Sequence, residues 1–359
     1  MDVTAIIFLT SGLVLGWSLG ANDGANVFGT AVGSRMLRFG TATAIGAIFV
    51  VLGAVVSGAG ATEGLTELGA VNKLAGAFTV ALAAAVTVAG MSRIGMPVST
   101  TQAIVGGIVG WNFFSGERTD VATLLTIVST WVAGPVLGAI FAIVLYRLTA
   151  LVTRVVRLHL LWVDHLTRLG LVLAGALGAY SLGANNVANV MGVFAPTTPL
   201  PTVTVAGVTI PALQQLFLLG GLAMAVGLFY SRRVMLTVGR GLMPVNPIGA
   251  WVVVVAHSLV LLMFSSRQLE SWLLAAGLPG IPLVPVSSTQ AVVGAVIGVG
   301  LARGFKSARQ IRVRLLAGIA IGWVVTPLIA ALLCFFMLFF MQNVFGQDVH
   351  QAAPTSASF

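Results

Sequence analysis

Asn22, Asp23 and Asn26 offer one carboxylate and two amide carbonyls within about one helical turn, inside the phrase GANDGAN that starts at Gly20. Hard oxygen donors around a single negative charge suit a small alkali cation, Na⁺ in particular. A second phrase, PVSTTQ from Pro97, sets Ser99, Thr100, Thr101 and Gln102 behind a proline. Proline at the first helical position followed by Ser and Thr describes a helix N-terminus. Such an end presents unpaired N–H groups and the positive pole of the helix, which together attract an anion.

Both phrases return. GANNVAN from Gly183 supplies Asn185, Asn186 and Asn189, and PVSSTQ from Pro285 supplies Ser287, Ser288, Thr289 and Gln290. The expected anion ligands are therefore Ser99, Thr100, Thr101, Ser287, Ser288 and Thr289. The expected cation ligands are Asn22, Asp23, Asn26, Gln102, Asn185, Asn186, Asn189 and Gln290, with the two glutamines suited to either ion. An Asp that caps a broken helix, or hydroxyls that only cap, would explain a single occurrence of each phrase. Recurrence weighs against both.

The elements that position these groups follow from composition. The chain of 359 residues is 58% hydrophobic and 8% charged, with mean hydropathy +1.05, so it reads as an all-α polytopic membrane protein. Apolar runs long enough to cross a bilayer are drawn at 3–34, 40–59, 73–92, 95–114, 121–147, 169–194, 209–230, 248–265, 284–302 and 315–341, about ten crossings. Fifteen of the eighteen basic residues then share one side, and only Lys73, Arg118 and Arg267 take the other. The positive-inside rule places both termini outside the cytoplasm, in a plasma or inner membrane. The net charge of +9 is thus topological and argues against a nucleic-acid partner. Of nine acidic residues only Asp23 falls within a crossing, where a carboxylate is tolerated if it meets a cation or a proton.

Five crossings per copy is an odd number, so the second copy enters the membrane in the opposite sense. Inverted repeats with interrupted helices and a site near the midplane are the architecture of secondary transporters. Gly20, Gly24 and Gly29 are expected to let the backbone break at the cation motif. The expected organisation is a first repeat over 1–148, a cytoplasmic linker helix over 149–168, a second repeat over 169–345 and a disordered tail over 346–359. The uncharged loop 195–211 reads as an external connector. Cys334 is alone and packs as a small apolar residue, and His257 within a crossing reads as a hydrogen-bonded packing residue or a proton carrier. Repeated glycines such as Gly106, Gly110, Gly294 and Gly298 suit close helix packing. No nucleotide loop, metal-ligand spacing or catalytic triad is present, which sets ATP-driven transport and enzymatic function aside.

On these four phrases the chain resembles the inorganic phosphate transporter family, whose signature is a GAND-type motif in each of two inverted halves joined to a Pro-x-Ser/Thr segment. The resemblance runs over nearly the whole chain. It implies a cation-coupled symporter of inorganic phosphate, Na⁺ on Asp23 and the paired Asn positions, phosphate on the Ser/Thr helix ends, and a homodimer in the bilayer. The chain departs from the family at Asn186, where the second copy usually carries Asp, and so has one formal charge fewer at the cation region. A sulfate or other oxyanion permease of the same fold, H⁺-coupled, and a passive anion channel stand as alternatives. The lone intramembrane Asp23 favours coupled transport, because a simple anion pore gains nothing from a buried negative charge.

Overall fold

A computed structural model describes residues 3–351, apart from 70, 94–97, 157–158, 199, 206, 242–244, 305–306 and 308–311. Its described residues form thirteen α-helices. The first repeat contributes α1 (Val3–Gly33), α2 (Phe39–Ser57), α3 (Ala59–Leu68), α4 (Leu74–Arg93), α5 (Thr100–Ser115) and α6 (Val121–Val156). The second contributes α7 (Leu160–Met191), α8 (Ala212–Leu228), α9 (Arg232–Gly241), α10 (Pro247–Met263), α11 (Arg267–Ala275), α12 (Ser288–Ala302) and α13 (Val313–Asn343). Six of these are long and apolar enough to cross a bilayer, or seven if α10 and α11, bent by 70° at their junction, are one span. The other segments drawn as crossings are shorter. Helices α5, α8 and α12 have 16, 17 and 15 residues, because α5 and α12 start deep inside the bundle after extended segments.

Packing shows the inversion directly. Helix α2 follows α1 through a short turn and so runs against it, while α2 lies beside α7 in the same sense: Gly53 abuts Tyr180 and Gly58 abuts Val187. Helix α7 therefore opposes α1 although both carry the same motif. The contacts obey the same symmetry. A Cβ on Gly20 would strike the Met224 carbonyl and one on Gly227 the Trp17 carbonyl, while one on Gly183 would strike Val50 and one on Gly53 Tyr180. Each glycine meets the residue three positions before its partner glycine. Only a hydrogen at these positions lets the helices approach backbone to backbone.

The half-helices are exchanged between repeats. Helix α5 packs on α13 of the second repeat and α12 on α6 of the first. Gly106 and Gly110 face the backbones of Pro327 and Ala331, and Gly294 and Gly298 face those of Pro135 and Ala139. The two prolines close a further repeated phrase, WVAGP from Trp131 and WVVTP from Trp323, which sequence inspection had passed over.

Three expectations change. The GAND and GANN phrases lie within unbroken helices, so their backbone carbonyls stay in the helical ladder. Gly20 and Gly24 serve close packing instead, against Met224 and against Leu228 and Ser231. The interruptions fall before α5 and α12. The stretch 149–168 is not a separate surface helix: α6 continues to Val156 and α7 starts at Leu160, with an Arg168 Nε to Asp164 Oδ2 bond of 2.9 Å one turn apart. No helix-breaking residue lies in 149–156 or 160–168 to stop either helix earlier. The connector 195–211 carries a small antiparallel hairpin that pairs Val203 with Ile210 and Thr204 with Thr209. Of the tail, 352–359 lie outside the described residues, but its start is docked. The Trp111 indole donates to the Val349 carbonyl at 3.0 Å, and the Asn72 side chain pairs with the Gln351 backbone.

The outer surface is apolar, with α6 and α13 mostly exposed and Phe335, Phe336, Phe339 and Phe340 among their outward side chains. Together with the long apolar helices this makes the chain a multi-pass membrane protein.

Candidate functional site

Each half-helix opens on a capped end. Ser99 Oγ accepts from Gln102 N at 3.4 Å and Ser287 Oγ from Gln290 N at 3.3 Å, so both serines are N-caps. The helices begin one residue later, at Thr100 and Ser288, and Pro285 stands two residues ahead of its cap. Proline is thus not at the first helical position in the second repeat. Pro97 lies outside the described residues. The extended residues ahead of the caps cannot bond within their own helix, and their carbonyls accept from both repeats.

Val98 O accepts from Asn22 Nδ2 and from Thr289 Oγ1, both at 3.3 Å. In the mirrored arrangement Val286 O accepts from Asn185 Nδ2 at 2.7 Å and from Thr101 Oγ1 at 3.5 Å, and Val286 N donates to Asn185 Oδ1. The motif helices bond to the opposite half-helices. Asn26 Nδ2 on α1 donates to Ser288 Oγ at 3.0 Å and Thr289 Oγ1 at 3.3 Å on α12, while Asn189 Nδ2 on α7 donates to Thr101 Oγ1 on α5 at 2.9 Å. The two N-termini thus meet at the centre of the bundle, one from each repeat. Residues 76 to 263 positions apart in sequence close one network.

Placement differs among the expected ligands. Thr101, Thr289, Ser288, Asn26, Asn185 and Asn189 are within this network. Asp23 is buried at 2% exposure and has Asn22, its chain neighbour, as its hydrogen-bond partner at 2.9 Å. Asn22 in turn bridges Asp23 to Val98 and is the one half-buried member of the set. Asn186 donates to Leu182 O one turn back and accepts from Asn189 Nδ2. Both amide atoms of Gln102 and of Gln290, Asn189 Oδ1 and Thr100 Oγ1 are buried without a hydrogen-bond partner in the protein. Buried polar atoms left this way cost roughly 1–3 kcal/mol each unless a ligand or water completes the bonding.

The donor set fits both ions. Free carbonyl oxygens on Gln102, Gln290 and Asn189, with the Asp23 carboxylate on the same helix as Asn26, are hard ligands for Na⁺. Two capped helix ends with the hydroxyls of Ser99, Thr100, Ser287 and Ser288 can donate to an oxyanion, whereas the Thr101 and Thr289 hydroxyls already donate to the Val286 and Val98 carbonyls. Among the described residues no His/Cys/Asp/Glu group has metal-ligand geometry. Sequence inspection missed the carbonyls of Val98 and Val286 and the contact of His257 Nε2 with Ser288 Oγ at 2.9 Å. Backbone acceptors carry no side-chain signal, and the partner of a lone histidine is decided by packing.

Known proteins share this fold. A solved structure described as "The sodium-dependent phosphate transporter" is similar to the chain with a TM-score of 0.75 and 25% identity, over 96% of this chain and 100% of that one. A provisionally named phosphate permease of Pyrococcus abyssi is 28% identical over 93% of this chain and 96% of its own length. One from Thermococcus kodakarensis is 28% identical over 94% and 97%. The phosphate transporter family profile matches residues 19–163 and again 160–334. With both inverted halves matched in this way, the chain belongs to the phosphate transporter family.

Proposed function

We propose that the chain is a secondary active symporter that carries inorganic phosphate on a cation gradient, Na⁺ by preference, by alternating access around the central site. One observation carries the reading: the Asn26 bonds to Ser288 and Thr289 and the Asn189 bond to Thr101 tie each cation motif to the anion-type helix end of the other repeat. Any shift of one repeat against the other moves both ligand sets together. That is the physical basis of coupling, since the two ions then share one pair of conformations.

Charge balance supports co-binding. A phosphate in hydrocarbon needs compensation, and the helix ends supply only partial positive charge. Cations held by Asp23 and the amide carbonyls would supply the rest. Phosphate also suits the unpartnered amide oxygens better than sulfate does, because hydrogenphosphate carries a P–OH donor and sulfate has none. The solved relative's description as sodium-dependent favours Na⁺ over H⁺.

The test is uptake of labelled phosphate and labelled sulfate into proteoliposomes under an imposed Na⁺ or H⁺ gradient. Phosphate accumulation driven by Na⁺ is the expected result. Downhill equilibration without accumulation would make the protein a passive pathway, and preferential sulfate uptake would reassign the substrate.

A further inference from the structure

His257 lies in the middle of α10, fully buried, with Nε2 at 2.9 Å from Ser288 Oγ and Nδ1 without a partner in the protein. The first repeat has no such residue. Eight positions after the Gly-Ala pair Gly76-Ala77 in α4 stands Ala84, and eight after Gly249-Ala250 in α10 stands His257. Thr100, the counterpart of Ser288, accordingly has a buried Oγ1 with no partner. The pseudo-symmetry therefore isolates what the imidazole does: it holds one hydroxyl of the pair and leaves the other free.

A hydroxyl has one proton and two lone pairs. Asn26 Nδ2 already occupies one lone pair of Ser288 Oγ. With His257 donating Nε2–H, the second lone pair is filled and the single proton remains for an acceptor elsewhere. With Nε2 accepting, that proton is consumed and Ser288 has nothing to offer an anion. Only the first arrangement serves a helix end that binds an acceptor-rich oxyanion.

We propose that His257 donates Nε2–H to Ser288 Oγ and thereby commits the Ser288 hydroxyl proton to the bound oxyanion, making the α12 end the anchor of the site and the α5 end, opposite Ala84, its adaptable half. This rests on the reading of the two helix ends as the anion site. His257 is a positioning residue: it touches Ser288, and Ser288 touches the substrate.

The experiment measures apparent KM and Vmax for labelled inorganic phosphate under an inward Na⁺ gradient in proteoliposomes of wild type, His257→Ala, His257→Gln, His257→Asn, Ser288→Ala and the Ser288→Ala/His257→Ala double variant. His257→Ala raises KM about tenfold, the size of one lost hydrogen bond to an anion, with Vmax little changed. His257→Gln restores KM, because its amide N–H reaches the position of Nε2. His257→Asn does not, because it reaches only as far as Nδ1. Adding His257→Ala to Ser288→Ala raises KM no further, since His257 acts on the substrate only through the Ser288 hydroxyl. Equal rescue by Gln and Asn, or a double variant equal to the product of the singles, overturns the proposal. If His257→Ala fails to fold, the contrast of Gln with Asn decides. Wild type that takes up no phosphate under any gradient overturns the transport reading and the proposal with it, whereas wild-type uptake with an unaltered KM in His257→Asn overturns the positioning role alone.

Discussion

Replacing Asp23 by Asn removes the one carboxylate from the buried network while keeping its shape. The chain itself shows that such a residue folds here. Asn186 occupies the equivalent place on α7, is buried, and donates to the carbonyl of Leu182 one turn back. Asp23 stands four residues after Leu19 in the same way, so an amide at position 23 has a matching acceptor, and the Asn22 Nδ2 bond finds an amide oxygen in place of the carboxylate. Folding is therefore expected to survive. Cation binding is not. A cation about 4 Å from a carboxylate gains about 4 kcal/mol at an effective dielectric constant near 20, which is about a thousandfold in affinity. The amide carbonyl of the variant recovers a small part of that, and a loss of about two to three decades in Na⁺ affinity remains. Uptake of labelled phosphate should lose its Na⁺ dependence. In parallel, the rise in unfolding temperature that Na⁺ gives the detergent-solubilised wild type, over choline as the control cation, should vanish. A folded Asp23→Asn protein with wild-type Na⁺ activation and wild-type thermal response would falsify the cation role of Asp23.

Asn186→Asp should fold and raise the Na⁺ Hill coefficient of phosphate uptake, because the new carboxylate still accepts from Asn189 while adding a charge to the cation region. An unchanged Hill coefficient would put position 186 away from the cation. Gly294→Ala drives a Cβ into the Pro135 backbone and should cost about 1–3 kcal/mol, seen as a lower unfolding midpoint, while Gly318→Ala, where a Cβ meets nothing, should not. Equal midpoints would refute the close crossing of α12 with α6. Because Cys334 is buried, single cysteines can report orientation: an impermeant maleimide should label Glu117→Cys from outside intact cells and Arg38→Cys only after permeabilisation. The reverse pattern would invert the topology.

The local content of the site was legible in the chain. Asn22, Asp23 and Asn26 sit within one helical turn, and Ser99 and Ser287 cap the helices that follow them, because both features depend on residues a few positions apart. Duplication was legible too, and the inversion was expected from five crossings drawn per copy, whereas six or seven helices among the described residues are long and apolar enough to cross. What the chain alone did not settle was which residues meet. The expected break at Gly20 is absent because that glycine is used to bring α1 against Met224, a choice made by helix packing and invisible locally. The carbonyls of Val98 and Val286 each accept from an asparagine of their own repeat and a threonine of the other, pairings that only the packed bundle sets. His257 reads as an ordinary packing residue until α10 is laid on α12, since hydrogen bonding over 31 residues of separation is set by how the helices stack and not by spacing. The polar residues were fixed by chemistry that sequence expresses, and their pairing by tertiary contacts that it does not.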